Sequence, residues 1–171
     1  MVEIRRLTAE DGRQHLSALA DCLIDCVEGG ASVGFMAPLS KADAVVFFEN
    51  VLAGVQKAER ILLAAFEQSK LVGTVQVVVS MPPNQLHRAD VAKLLVVRAA
   101  RGNGVGSRLM EQAEEVSRLA GKTLLVLDTA TGDSAEKLYL RLEWTKVGVI
   151  PMYARYPDGR WGDTSYFWKR L

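Results

Sequence analysis

The sequence predicts one mixed domain of strands and helices, α/β or α+β in class, over residues 1–171. Three observations predict it. Runs with strand patterning and runs with helical spacing intermingle along the whole chain. Apolar residues make up 49% and charged residues 24%, the balance of a globular protein with its own core. No repeat, low-complexity tract or linker divides the sequence.

Val2–Leu7 alternates and reads as a strand. Thr8 with Asp11 three residues on is an N-cap signal, and Leu16, Leu19, Leu23, Cys26 and Val27 fall on one helical face. Gly29 and Gly30 end that helix. A second helix follows Ser40, with Ala44, Phe48, Val51 and Val55 inward. Arg60–Phe66 and Leu71–Ser80 flank the polar turn 67–70 as a hairpin would. After Pro82-Pro83-Asn84, Val91–Val97 is dense in Leu and Val and suits a buried strand. Val105, Leu109, Ala113, Val116 and Ala120 return to helical spacing, ending at Gly121. Thr123–Leu127 reads as a short strand, and Ala135, Leu138, Tyr139 and Leu142 mark a short helix. Val147–Tyr153 and Thr164–Trp168 close the chain as strands around Pro157-Asp158-Gly159.

Charge and composition exclude several function classes. The formal net charge of +1 gives no broad electrostatic footprint for nucleic acid or for an anionic membrane. The segment Met1–Arg6 lacks the apolar region of a signal peptide, and no apolar run is long enough to span a bilayer. Cys22 and Cys26 are the only cysteines, four apart in a helical pattern. They form neither a disulfide framework nor a metal site, and a cytoplasmic location with no metal cofactor is expected.

The most informative stretch is Leu94-Leu95-Val96-Val97-Arg98-Ala99-Ala100-Arg101-Gly102-Asn103-Gly104-Val105-Gly106-Ser107-Arg108. An apolar strand runs into a basic glycine-rich turn and then an amphipathic helix. Free N–H groups at a helix start, with the helix dipole behind them, favour an anion. Glycines let the backbone curl and approach a ligand. A P-loop would need Lys after Gly106, and a dinucleotide fingerprint would need glycine at Ser107.

The turn resembles the acetyl-CoA signature of the GNAT acetyltransferase superfamily, Arg/Gln-x-x-Gly-x-Gly/Ala, met here by Arg101, Gly104 and Gly106. The resemblance implies a central mixed, mostly antiparallel sheet of about seven strands with about four flanking helices. It further implies that the amides of Gly102, Asn103, Gly104, Val105, Gly106 and Ser107 hold the CoA pyrophosphate, and that the backbone of Leu94, Leu95 and Val96 pairs with the pantetheine arm. Across Gly29–Ala37, Arg88–Val97, Leu127–Thr129, Ala135-Glu136, Tyr139 and Pro157–Arg160 the chain is similar to the tabtoxin-resistance branch. Asp90 stands where that branch would have Glu.

Acetyl transfer to an amine needs a neutral nucleophile, a stabilised oxyanion and a proton for the leaving thiolate. The resemblance assigns Tyr139 as general acid; the other reading of Tyr139 is a core residue beside Leu138 and Leu142. Asp90 and Asp128 are the candidate bases, with solvated strand end and turn residue as their structural readings. His87 is a lesser candidate, and His15 receives no role. The apolar, glycine-rich loop Gly29–Pro38 puts Val33, Phe35 and Met36 forward as an acceptor wall or as a loop folded on the core. The expected function is transfer from acetyl-CoA to a small-molecule amine, which the resemblance implies to be of the tabtoxinine kind, within a monomer or homodimer. A protein or peptide acetyltransferase and a non-catalytic acyl-CoA binder are the alternatives.

Overall fold

The computed structural model describes residues 2–171. Its strands are β1 (Val2–Leu7), β2 (Arg60–Glu67), β3 (Lys70–Val78), β4 (Arg88–Val96), β5 (Leu124–Ala130), β6 (Thr145–Arg155) and β7 (Trp161–Arg170). They form one seven-stranded sheet in the order β1-β2-β3-β4-β5-β7-β6. Every neighbouring pair is antiparallel except β4 and β5, so the sheet is mixed as expected. Five helices flank it: α1 (Ala9–Gln14), α2 (Leu16–Glu28), α3 (Lys41–Gln56), α4 (Val105–Leu119) and α5 (Ser134–Arg141). Among the described residues no helix is long and apolar enough to cross a membrane.

Local chemistry accounts for most of these elements. Thr8 and Asp11 form a reciprocal capping box at α1, and the Ser40 side chain caps α3. The β2–β3 hairpin closes at Glu67 opposite Lys70. Its two loop residues, Gln68 and Ser69, both have positive φ, 48° and 69°, as a tight primed turn demands. Where one N-terminal helix was expected there are two. Gly12 packs so closely that a Cβ there would meet Leu52 Cδ2 at 2.1 Å, and His15 then leaves helical geometry at φ −102°, ψ 9°.

The sheet carries a core on each face. Val75, Val77, Val91, Leu125 and Phe167 pack with Val105, Leu109 and Ala113 of α4. Leu62, Ala64, Phe66 and Leu95 pack with Leu19, Leu23, Phe48 and Leu52 of α2 and α3. The second core stops at β4, so the corresponding face of β5, β7 and β6 has no helix over it. β6 is solvent-exposed along almost its whole length.

Two departures bear on the site. β5 extends to Ala130, so Asp128 is a strand residue opposite Tyr166 and neither a turn residue nor a cap. The N-cap of α5 is Asp133.

Candidate active site

The cleft starts from a failure of pairing. β4 and β5 run parallel and are in register only from Arg88 opposite Leu124 to Asp90 opposite Val126. Beyond that point they diverge. A bulge assists: the register of β4 against β3 shifts between Thr74 and Gln76, and Lys93 takes φ 54°. The β5-facing edge of Val91–Val96 is thereby left without a strand partner. It opens on a cavity of about 820 Å³ bounded by the Gly29–Gly34 loop, the start of α4, α5 and the β6–β7 end.

The glycine loop occupies one end of this cavity. Gly102 and Gly104 have φ 82° and 77°, and a Cβ at either would meet nothing within 4 Å. Their glycine identity therefore serves backbone conformation and leaves open space above the loop. Gly106 differs: a Cβ there would come 3.1 Å from Leu138 Cδ2, so it lets α4 lie against α5. No side chain caps the N-terminus of α4, in contrast to α1 and α3. Its first amides lack intrahelical acceptors by geometry and face the cavity mouth.

The arginines of this loop are each engaged by another group of the protein. Arg101 Nε donates to the Val96 carbonyl at 3.0 Å, and Nη2 lies 3.8 Å from Cys26 Sγ. Arg98 is held by Asp25, through its amide at 2.7 Å and its Nε at 2.8 Å. Arg108 donates to the Val2 carbonyl at 3.1 Å. The cradle thus offers backbone amides with the Arg101 charge beside them, and the Val96 carbonyl is already engaged by Arg101. Cys26 itself lines the cavity, and the neighbouring Cys22 and the Arg101 guanidinium draw its thiol pKa below the usual cysteine value.

Of the predicted cofactor residues, all but Asn103 line the cavity. Tyr139 lines it too. Its ring packs on Trp144 and Phe167, with centroids 6.0 and 5.8 Å away, while among the described residues its hydroxyl has no hydrogen-bond partner. Burial and the Asp128 charge push its pKa far above the usual tyrosine value, so it stays protonated. Tyr139 is thus a core ring that also lines the cleft, with its hydroxyl unpaired.

The two carboxylates separate. Asp128 lines the cavity and accepts from Thr164 Oγ1 at 3.2 Å. Asp90 is itself the last residue of β4 paired with β5, outside the cavity wall, and is ion-paired with Arg88. The acceptor trio also divides. Val33 lines the cavity, whereas Phe35 turns its ring edge-on to Phe47, with centroids 5.1 Å apart, and Met36 is 49% exposed to solvent. The wall here is Ser32-Val33-Gly34, a glycine-rich segment in which backbone forms the surface. His87 is exposed and contributes its carbonyl to Thr123 at 2.8 Å.

Sequence reasoning missed Lys93. It lines the cavity, more than half buried, within the apolar run Val91–Val96. That interruption of an apolar strand by one lysine was the available signal. Sequence reasoning also missed Glu136, which braces the loop between β5 and α5. Its carboxylate accepts from the Gly132 amide at 2.6 Å, Lys146 Nζ at 2.5 Å and Ser165 Oγ at 3.0 Å.

Solved structures share this fold over their full length. The yncA protein of Salmonella typhimurium, assigned as an acetyltransferase and solved with its cofactor acetyl-CoA, superposes with TM-score 0.80 at 18% identity, covering 99% of this chain and 94% of that one. A ribosomal-protein-alanine N-acetyltransferase from Brucella melitensis gives 0.81 at 22%, covering 99% of each chain. A protein assigned as a phosphinothricin N-acetyltransferase gives 0.81 at 18%, covering 100% and 99%. Their acceptors differ, so the shared fold does not select one. The model of the acetyltransferase (GNAT) family matches residues 20–144, the segment that carries most of α2, all of α3 to α5, the split between β4 and β5, and the uncapped glycine loop. This chain belongs to the acetyltransferase (GNAT) family.

Proposed function

We propose that the protein transfers the acetyl group of acetyl-CoA directly to the amine of a small, amino-acid-like acceptor. A toxin of the tabtoxinine or phosphinothricin kind would suit, which makes resistance or detoxification the physiological role. The observation that carries this reading is that one cavity joins three things: the uncapped amides of α4, the unpaired edge of β4 and the free hydroxyl of Tyr139.

Acetyl-CoA supplies the thioester. The amides from Gly102 to Ser107 would take its pyrophosphate, and the β4 edge at Leu94 and Leu95 its pantetheine amides. Tyr139, held protonated by burial, is positioned to give a proton to the departing thiolate. Asp128 is the better-placed base: it faces the cleft and has only the Thr164 hydroxyl bound to it, whereas Asp90 is engaged by Arg88. An amine of ordinary basicity arrives as ammonium at neutral pH. A carboxylate in the cleft attracts it and relays the proton.

A compact acceptor is favoured over a peptide because the cavity is walled on two sides. The Gly29–Gly34 loop stands on one, and Tyr153, Ala154, Gly162 and Asp163 on the other. The same reading places the enzyme in the reducing cytoplasm, where the free thiols of Cys22 and Cys26 persist. A second copy is expected to cover β6, whose Val147, Val149, Ile150 and Met152 are exposed. Sedimentation of the wild type against Val149→Lys tests that pairing.

The deciding experiment is thiol release from acetyl-CoA with amino acids, tabtoxinine-like and phosphinothricin-like compounds, polyamines, aminoglycosides and N-terminal peptides. Highest kcat/KM for the amino-acid-like compounds is expected. Preference for peptides overturns the acceptor class, and acetyl-CoA binding without turnover overturns catalysis.

A further inference from the structure

We propose that Lys93 forms an anion subsite in the acceptor half of the cleft, so that the preferred acceptor is an amine bearing its own carboxylate or comparable acid. This rests on the acetyltransferase reading above and names the acceptor chemistry more narrowly.

The backbone puts Lys93 there at a cost. It lies in the β4 bulge, and its φ of 54° is a conformation non-glycine residues seldom take. The bulge turns the side chain toward the Gly29–Pro38 loop, where Nζ lies 3.7 Å from the Cβ position of Gly34. Among the described residues the ammonium has neither a hydrogen-bond nor an ion-pair partner. Burial disfavours its charge, the Asp128 carboxylate favours it, and Arg60 opposes it. A partly buried cation without a counter-ion is costly unless something brings the missing charge.

Among the described residues no carboxylate of the cleft pairs with Lys93. Asp128 is close enough to act on Lys93 through space but makes no ion pair with it. Asp90 is bound by Arg88, and Asp158 by Arg160. Arg88 and Arg160, the partners in those pairs, lie outside the cavity lining. The lining also carries Asp133 and Asp163 besides Asp128, and Arg101, Lys137 and Arg141 besides Lys93; Lys93 is the unpaired cation on the β4 edge, near enough to Asp128 to feel its charge. A zwitterion matches that pattern: its ammonium goes to Asp128 and its acid to Lys93.

The test uses matched acceptors, free L-amino acids each paired with its own C-terminal amide, on wild type, Lys93→Met and Lys93→Arg. The wild type should favour the free acid by about 10- to 100-fold in kcat/KM, the range for a charge-assisted hydrogen bond. Lys93→Met should lose that preference mainly through KM, and Lys93→Arg should retain part of it. A thermal melt confirms that the variants fold. A wild type indifferent to the carboxylate, or a Lys93→Met enzyme that keeps the preference, overturns the subsite while the acetyltransferase reading stands. Absence of turnover with every pair, despite acetyl-CoA binding, overturns both.

Discussion

Lys146 Nζ and Glu136 Oε1 lie 2.5 Å apart, and this ion pair ties β6 to the first turn of the helix that carries Tyr139. Glu136 is buried, and its second oxygen holds the Gly132 amide. The Lys146 hydrogen bond, then the Gly132 amide, keep its carboxyl below the usual glutamate range. A depressed folded-state pKa adds stability above the unfolded pKa and loses it as pH falls through the folded value. Glu136→Gln should therefore destabilise the protein at pH 7 by about 1–3 kcal/mol. The gap from wild type should close below roughly pH 4. Urea denaturation at several pH values checks this; a gap independent of pH would show that packing, not charge, is lost.

Gly104→Val should remove most acetyl-CoA affinity. Its Cβ would stand in the open space above the loop at φ 77°. Gly104→Asn separates the causes, since Asn tolerates the left-handed conformation. Calorimetry should show both variants weakened. Retained affinity in Gly104→Asn would mean that backbone strain, not blocked approach, makes glycine necessary.

Tyr139→Phe should lower kcat by about 10²–10⁴-fold and leave acetyl-CoA affinity nearly unchanged. The hydroxyl has no partner to lose, so the melting temperature should hold. Because the Tyr139 pKa is raised, wild-type activity should climb with pH as the acceptor amine deprotonates, without a tyrosine-driven fall up to about pH 10. Unchanged turnover in the variant would reduce Tyr139 to a packing residue.

Asp128→Asn should cost more kcat/KM than Asp90→Asn, and the loss should be largest at low pH, where the acceptor is most fully protonated. Steady-state kinetics of both single variants and the double variant decide it. Full activity in all three would remove the carboxylates from the mechanism.

Much of this was legible in the sequence because it is local. The Thr8 and Ser40 caps, the 67–70 turn and the run of strand, glycine loop and helix from Leu94 depend on neighbours a few residues apart, which spacing reports directly. The glycine loop is a local anion cradle, so Gly102 and Gly104 could be read before any fold was known.

What tertiary structure alone decided is how the charged groups are engaged. Arg98, Arg101 and Arg108 look equally available in a basic loop, yet each is taken by a group far away in sequence or across the turn: Asp25, Val96 and Val2. Asp90 and Asp128 look alike as strand carboxylates, until Arg88 claims one and the parting of β4 from β5 opens a cleft beside the other. Phe35 and Val33 are two residues apart, but only contact with Phe47 determines which faces the core. Lys93 is aimed by a bulge that exists only against β3. A sequence fixes which groups exist and how short segments bend; pairing, burial and divergence between distant strands determine which of those groups are left to bind and react.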